Sequence, residues 1–384
     1  MSTTALSRRG REARDWLLGA CFPLWSERGV HRNGFLEALD LQHRPIEVAE
    51  TRVRVQARQT YVFTTALQLG WQPARASDLV ALGVEGLASK TRRRDGLFGQ
   101  NLNLDTGELT GPTADLYDTA FALYALSSVT RLPTGFDCAD AAQLAGRVID
   151  ETLTAIDAHL ATPSGGYLER LPPPEHRLQN PHMHLFEACL SLASGPRPDA
   201  HRARAEALHQ LCLTRFIDPV TGTLGEHFVS GSWAIPDNKA GEIIEPGHQF
   251  EWVWLMHQYA HLTGTELPAE ARRLYQFACQ TLDQEGRTFQ SCKRDGTPVD
   301  ASRRTWQQTE ALKAHVAMWK GGDKAAAARA ITTFDILMDE YLTPEGGWID
   351  HYDSDGQVQA IDMPASTGYH VVLALLDLIE AVEA

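Results

Sequence analysis

The stretch EGGWIDHY at 345–352 places two glycines before an aromatic residue, a pattern typical of a tight turn between two elements. The same pattern of glycine followed by apolar residues occurs at earlier places in the chain. The turns centre on Gly34, Gly96, Gly166, Gly222, Gly286 and Gly346. Successive turns lie 56 to 70 residues apart and extend over almost the whole 384-residue chain. Such even spacing predicts six equivalent structural units rather than chance glycine matches.

Two kinds of helix-like segment alternate between these turns. Amphipathic segments, with apolar residues at i, i+3 and i+4 and charges on the opposite face, include 141–160, 201–217 and 323–342. A second set is apolar on most sides, as expected of buried helices, and covers 56–70, 117–129, 182–194, 248–264, 307–319 and 369–382. The sequence therefore predicts an all-α fold in which each unit holds one outer and one inner helix joined by a glycine turn.

Six helical hairpins of this kind are best closed into an (α/α)6 barrel. An open helical solenoid is the alternative, but a solenoid needs polar capping repeats at its ends, and none is visible in the sequence. We therefore expect a single (α/α)6-barrel catalytic domain over residues 1–384.

The composition argues against several classes of protein. With 43% hydrophobic residues the chain can bury a large core, and its net charge of −14 argues against nucleic acid or an anionic membrane as partner. No run is long and apolar enough for a signal peptide or a membrane span. The six cysteines form no C-x-x-C pair and predict buried free thiols in a reducing compartment. We expect a cytoplasmic protein, monomeric or homodimeric.

The inner helices carry unusual polar and aromatic residues near their N-terminal ends, 18 to 26 residues after each turn glycine. These residues are Arg58, Tyr117, His184, His248, Trp306 and His370. In a closed barrel the helix ends gather at one rim, so residues remote in sequence would line one pocket. Aromatic rings stack on a sugar ring, His and Arg bind its hydroxyls, and helix N-termini favour an anionic intermediate. The pattern predicts a monosaccharide site.

A histidine at a helix start is more often a cap or a core residue than a catalytic group, so its neighbours matter. The motif H-x-x-E occurs as His184/Glu187 and His248/Glu251, each pair on one helical face, where a carboxylate can fix the imidazole tautomer. Metal ligation by these four residues and His182 is an alternative, but no HExxH motif or zinc-like spacing supports it. A glycoside hydrolase would need a carboxylate pair at the rim, where no carboxylate stands out as the histidines do.

The segments around these residues resemble the N-acylglucosamine 2-epimerase superfamily of (α/α)6 barrels. They are VQARQTYVF (55–63), DLYDTAFALYAL (115–126), NPHMHLFEA (180–188), EPGHQFEWVWL (245–255), TWQQTEALKAH (305–315) and MPASTGYHVVLALL (363–376). The resemblance implies that His248 and His370 form an acid/base pair and that His182 is structural. It assigns substrate binding to Arg58, Tyr117, Asn180, His184, Glu251 and Trp306, with the two aromatic residues as pocket walls. It implies no metal and no cofactor.

Within this superfamily, the segments ARQTYVF, MHLFEA and MPASTGYH are most similar to the mannose isomerase branch. This implies an isomerase that interconverts D-mannose and D-fructose. A base would remove the C2 proton of the open aldose to give a cis-enediolate, and reprotonation at C1 would give the ketose. Reprotonation at C2 from the other face would instead make a 2-epimerase of mannose or glucose, an N-acyl hexosamine or a disaccharide. A glycoside hydrolase and a non-catalytic sugar-binding barrel are further alternatives.

Arg58 and His370 occupy equivalent places in the first and sixth units, which are neighbours around a closed ring. We therefore expect them to lie close together, with the arginine lowering the pKa of the histidine and holding the enediolate oxygens. The basic stretch TRRRDG at 91–96 precedes a turn and predicts solvated surface. No other basic cluster is expected at the rim, which favours a neutral sugar over a phosphorylated or sulfonated one.

Overall fold

A computed structural model describes residues 2–383. Its α-helices are α1 (Ser2–Trp16), α2 (Phe22–Arg28), α3 (Val53–Gln68), α4 (Pro73–Glu85), α5 (Leu116–Thr130), α6 (Ala139–His159), α7 (Asn180–Ala193), α8 (Pro198–Leu211), α9 (Lys239–Glu242), α10 (Pro246–Thr263), α11 (Ala269–Gln280), α12 (Thr305–Lys320), α13 (Lys324–Ile336) and α14 (Thr367–Glu383). Single π-helical turns follow α1, α4, α8 and α13, at Leu17–Cys21, Gly86–Lys90, Cys212–Phe216 and Leu337–Tyr341.

The most apolar helices form a closed inner ring. Around it α3, α5, α7, α10, α12 and α14 each pack against the next, and α14 packs against α3. An outer helix follows most of them in the chain and packs against its own inner helix, as α4 does on α3 and α6 on α5. The predicted all-α (α/α)6 barrel is confirmed, since each inner helix shares its buried faces with ring neighbours and an outer helix.

The N-terminal helix completes the ring. The chain after Gly346 supplies the inner helix α14 and no outer helix within the described residues, and α1 packs against α14 and α13 in its place. The expectation of an outer helix in every unit is therefore wrong for the last unit. Trp25, in α2, stacks on Trp348 of the last turn with ring centroids 4.6 Å apart, so this joint is also packed by aromatic rings.

Short strands, which the sequence did not predict, hold the turns together. They are β1 (Val30–His31), β2 (Gly34–Phe35), β3 (Ala38–Asp40), β4 (Glu50–Arg52), β5 (Asn101–Asn103), β6 (Ala114–Asp115), β7 (Arg170–Leu171), β8 (His176–Leu178), β9 (His227–Val229), β10 (Ile243–Ile244), β11 (Ser291–Lys293), β12 (Pro298–Asp300), β13 (Arg303–Arg304), β14 (His351–Tyr352) and β15 (Asp362–Pro364). The strand before each inner helix pairs antiparallel with a strand after the next turn glycine, as β4–β5, β6–β7, β8–β9, β10–β11, β13–β14 and β15–β3. This pairing brings the N-terminal ends of the inner helices to one rim.

The turn glycines adopt backbone conformations that other residues rarely take. Their φ angles are positive, from 70° at Gly166 to 155° at Gly34. At Gly346 the close approach is severe as well, because a Cβ atom there would lie 2.4 Å from the backbone of Ala20. The glycine pattern thus marks places where the chain must turn sharply beside another element.

The six cysteines are free, and all except the partly exposed Cys279 are buried, which agrees with the predicted thiols. Within residues 2–383 no helix combines the length and the apolar character needed to cross a bilayer.

Candidate active site

A cavity of about 250 Å³ opens at the rim where the inner helices begin. The eight residues predicted for the site all line it, namely Arg58, Tyr117, Asn180, His184, His248, Glu251, Trp306 and His370. Each lies in the first two turns of its inner helix. A second cavity of about 310 Å³ opens at the opposite end of the barrel, and none of these eight described residues lines it.

His182 lies outside the cavity and is fully buried. Its Nε2 accepts the backbone N–H of Tyr167, and its Nδ1 lies 2.9 Å from the carbonyl oxygen of Leu178, to which it can donate. These contacts hold the ring between two backbone segments, which agrees with the structural role implied by the resemblance.

His248 is paired with carboxylates that were not expected to contact it. Its Nδ1 lies 2.9 Å from Oε2 of Glu226, which follows the turn at Gly222, and 3.8 Å from Oε2 of Glu245. Burial alone would lower the pKa of His248, but the two carboxylates outweigh it and raise that pKa to about 10. His248 is therefore a protonated imidazolium at neutral pH.

His370 has the opposite protonation state. Its Nδ1 lies 2.9 Å from Oε1 of Glu310, one turn after Trp306 on α12. Burial lowers the pKa of His370 well below its ordinary value, and the charges of Arg58 and Lys313 lower it further. His370 is thus neutral at pH 7 and can act as a base. Arg58 lies close to the start of α14, the helix that carries His370, as expected. Its Nη1 donates to the carbonyl oxygen of Ser366, just before α14, at 3.1 Å.

Trp306 lies close to both histidines. Its ring centroid is 5.1 Å from that of His248 and 6.0 Å from that of His370, so the proposed acid and the proposed base contact the same aromatic residue. On the opposite wall, Tyr117 packs edge-on against His184 at 5.0 Å and its hydroxyl accepts a hydrogen bond from Arg58 at 2.9 Å. A flat ligand with hydroxyl groups fits between such walls.

Only one of the two H-x-x-E motifs pairs as expected among the described residues. His184 Nδ1 lies 3.1 Å from Oε2 of Glu187, three residues later. Glu251 does not hydrogen-bond to His248; its Oε1 lies 3.9 Å from His184 Nδ1 instead. The pairing of His248 with Glu251 is therefore wrong, because the His248 ring turns towards Glu226.

The expectation that no further basic groups reach the rim is also wrong. Arg52, Arg54 and Arg304 line the cavity together with Arg58. Arg52 lies in β4, Arg304 in β13 and Arg54 in the first turn of α3. Each forms an ion pair with a carboxylate and still lines the mouth of the cavity. The pairs are Arg52 with Glu37, Arg54 with Asp118 at 3.0 Å, and Arg304 with Asp350 at 2.6 Å. Arg92 of the TRRRDG stretch lies elsewhere and pairs with Glu151 at 2.7 Å.

Sequence reasoning missed the carboxylates behind the catalytic histidine candidates. Glu310 could have been predicted from the sequence, because it is four residues after Trp306 and so lies one helical turn further along the same face of α12. Glu226 lies in the segment after a turn glycine, and its contact with His248 joins residues 22 positions apart. No local spacing reveals such a contact.

Within residues 2–383, two groups of side chains could bring metal-ligating atoms together. They are His184 with Glu187 and Glu251, and His248 with Glu226 and Glu245. In each group the histidine Nδ1 lies within 3.1 Å of a carboxylate oxygen, a distance suited to a hydrogen bond. A metal ion would have to displace the proton from these bonds, so the arrangement fits orientation of the two rings better than ligation.

Comparison with known proteins places the chain in a family. The sequence profile of N-acylglucosamine 2-epimerase matches residues 34–374. A mannose-6-phosphate isomerase of Rhizobium meliloti (strain 1021) is 33% identical over 385 residues, covering 96% of each chain. The chain belongs to the N-acylglucosamine 2-epimerase family. This family consists of epimerases and isomerases that act on sugars, and the cavity described above is the candidate active site of such an enzyme.

Solved structures of the same fold agree with this assignment. Cellobiose 2-epimerase from Spirochaeta thermophila DSM 6192 superposes with a TM-score of 0.84 at 22% identity, covering 98% of this chain and 97% of that one. A D-mannose isomerase superposes with a TM-score of 0.83 at 19% identity and the same coverage. At these identities the likeness shows the shared barrel fold alone, and the reaction has to be argued from the site.

Proposed function

We propose that the protein is a cofactor-free aldose–ketose isomerase that interconverts D-mannose and D-fructose through a cis-enediolate. One observation carries this proposal: two histidines line one cavity, and the charged groups around them favour opposite protonation states. Glu226 and Glu245 favour the charged form of His248, whereas burial and Arg58 favour the neutral form of His370. Titratable groups whose environments push their pKa values apart supply an acid and a base at the same pH.

The roles follow from these states. Neutral His370 takes the proton from C2 of the open-chain aldose, which gives the cis-enediolate, and protonated His248 then donates to the C1 oxygen. His370 then returns its proton to C1, and the C2 hydroxyl gives its proton to His248, which forms the ketone and restores both histidines. Arg58 stays charged throughout and stabilises negative charge on the enediolate oxygens.

The remaining cavity residues bind the sugar. We assign Tyr117 and Trp306 to packing against its apolar face, and Asn180, His184 and Glu251 to its hydroxyl groups. This division of labour rests on their position around the two histidines and on aromatic and polar groups being the usual walls and anchors of small-ligand pockets.

Incubation with D-mannose in D2O, followed by NMR of the products, tests the reaction. We expect fructose, with deuterium entering at C1 to the extent that His370 exchanges its proton with solvent. Glucose carrying deuterium at C2 would instead support the 2-epimerase alternative, in which His248 reprotonates C2 from the opposite face. A His370→Ala sample treated in the same way controls for contaminating isomerase, and absence of any product would reject the proposal for neutral mannose.

A phosphorylated hexose is a second candidate substrate. Arg52, Arg54 and Arg304 at the mouth could bind a phosphate bidentately, and the relative from Rhizobium meliloti is named for mannose 6-phosphate. Comparing kcat/KM for mannose and mannose 6-phosphate separates the two candidates. If the phosphate is bound, Arg304→Ala should lower kcat/KM for the phosphorylated sugar alone, whereas Arg92→Ala on the outer surface should change neither value.

Activity should survive prolonged treatment with EDTA. The histidine pair needs no Lewis acid to move the protons described above. Loss of turnover on chelation, restored by a divalent ion, would replace this mechanism by a metal-assisted one.

A further inference from the structure

A buried lysine lies beneath the candidate active site, and its charge contributes to the low pKa of His370. Lys313 is fully buried on α12, one turn after Glu310. Its Nζ lies 2.6 Å from Oε2 of Glu310 and 4.1 Å from the ring centroid of Trp254. A buried ammonium is costly unless it is paired, so its position asks for an explanation beyond packing.

Glu310 connects this lysine to the proposed base. Its Oε2 faces Lys313 and its Oε1 lies 2.9 Å from His370 Nδ1, so one carboxylate contacts both groups. Burial and the neighbouring carboxylates Glu251 and Glu187 push the pKa of Glu310 well above its ordinary value, and the Lys313 ammonium, 2.6 Å from Oε2, is the group that favours the ionised carboxylate.

The other charged and titratable groups around this trio come from each helix packed nearby. They are Glu251 and His248 on α10, Glu187 and His184 on α7, Arg58 on α3, and Tyr369 and Asp377 on α14. Lys313 is paired directly with Glu310, and Glu251 and Glu187 also stabilise its charge.

We propose that Lys313 is a positioning residue whose ammonium keeps Glu310 ionised, so that Glu310 accepts the Nδ1–H of His370 and leaves His370 Nε2 as the free base facing the cavity. This inference rests on the proposed function for its kinetic consequences but not for its structural one. Without the ammonium, a proton moves onto Glu310, which then donates to Nδ1. His370 must carry its own proton on Nε2, and it can no longer accept one from C2 of the sugar.

The kinetic test compares Lys313→Met with Lys320→Met. Lys320 ends the same helix and lines the opposite cavity, so it controls for loss of a lysine on α12. Lys313→Met should lower kcat by about 10²-fold or more, as loss of a general base does, with little change in KM. The acidic limb of the kcat profile should move to higher pH, because the Glu310–His370 pair now keeps its extra proton longer. Unchanged kcat, or a loss of kcat with an unmoved limb, would overturn the proposal.

A double variant keeps the test valid if Lys313→Met fails to fold. Glu310→Gln with Lys313→Met removes both members of the ion pair, so neither is left buried without the other. If Lys313 acts through Glu310, the double variant should match Glu310→Gln in kcat within about 3-fold, since coupled residues are not additive. A further loss of 10-fold or more would mean that Lys313 acts by another route.

The tautomer itself can be measured without turnover. In protein labelled with ¹⁵N-histidine, long-range ¹⁵N–¹H correlations distinguish Nδ1–H from Nε2–H, and His370→Gln assigns the signal. We expect Nδ1–H in the wild type and in Lys320→Met, and Nε2–H in Lys313→Met. An unchanged tautomer in Lys313→Met rejects the inference, even if the wild-type protein isomerises sugars. If the tautomer switches but the wild-type protein is inactive on sugars, the proposed function alone is rejected.

Discussion

The two candidate catalytic histidines are chemically identical side chains with different neighbours. His248 faces two carboxylates, one of them at 2.9 Å, whereas His370 shares its single close carboxylate, Glu310, with Lys313 and lies near Arg58. The balance of charge around each ring, rather than burial, decides the difference, because both rings are almost fully buried. An acid and a base can therefore arise from one residue type on two helices of the same ring.

His248→Ala and His370→Ala should each lower kcat by about 10²- to 10⁴-fold, the usual contribution of a general acid or base. Steady-state kinetics on the active sugar measures this, and circular dichroism checks the fold. His182→Ala is the matched control. It should keep kcat and lower the melting temperature, because it leaves the partly buried N–H of Tyr167 without its acceptor. A His182 variant as inactive as His248→Ala would contradict the assignment of the acid/base pair.

The pH dependence should reflect the two pKa values. Activity requires His370 neutral and His248 protonated, so it should hold across neutral pH and fall as His248 loses its proton near pH 10. Glu226→Gln removes a negative charge beside His248 and lowers its pKa, so the alkaline limb should move to lower pH. Profiles of kcat/KM check this, with the exposed Glu85→Gln as control. A limb that stays in place would mean that another group controls it.

The sequence revealed those site residues whose position follows from helix geometry. His248, Trp306 and His370 could be found because each begins an apolar helix at a regular distance from a turn glycine. Glu226 and Arg304 could not, because they reach the cavity from a turn and a strand, where side-chain direction depends on pairing with a distant segment.

At the scale of elements, each turn glycine lets the chain reverse beside a neighbouring unit. Gly346 combines a φ of 100° with a predicted Cβ contact of 2.4 Å to Ala20, whereas Gly264 has a φ of 70° and nothing within 4 Å. Gly346→Ala should therefore destabilise the fold by more than the ~1–2 kcal/mol that a left-handed conformation costs a residue with a Cβ. Gly264→Ala isolates that conformational term. Urea unfolding of both variants gives the comparison, and equal losses would show that the contact with Ala20 relaxes without cost.

Helices were predictable from sequence and strands were not, for a physical reason. A helix such as α6 can be predicted because apolar residues repeat every three or four positions along its 21 residues. A strand such as β6 has two residues, too few to show alternation, and exists because its hydrogen bonds reach β7 in the next unit. The sequence also did not predict that α1 is an outer helix, because its partner α14 lies at the other end of the chain.

At the scale of the molecule, the ring is closed by contacts between the first and last units. Strand β15 pairs with β3, α1 packs on α14, and Arg58 bonds the backbone before α14. The active-site cavity includes residues from both sides of this joint, among them Arg58 and His370. Stability of the joint and geometry of the site are therefore coupled, and the chain should behave as a single domain.

This coupling predicts one cooperative unfolding transition that weakens as a whole when the joint is cut. Trp348 is buried, stacks on Trp25 at 4.6 Å and donates its Nε1–H to the carbonyl oxygen of Pro364. Trp348→Ala should cost about 3–5 kcal/mol, as truncation of a buried aromatic does, and lower the melting temperature of a single calorimetric peak.

Trp252→Ala is the matched control, because Trp252 is equally buried but bonds Gln179 on the far side of the ring. Both variants should lose stability, yet only Trp348→Ala should speed amide exchange in α1 and α14 and weaken substrate binding through the displaced Arg58 and His370. Two separate calorimetric peaks in the wild type would show that the units unfold independently. In that case the six units, although closed in space, would not form the single domain that the sequence predicts.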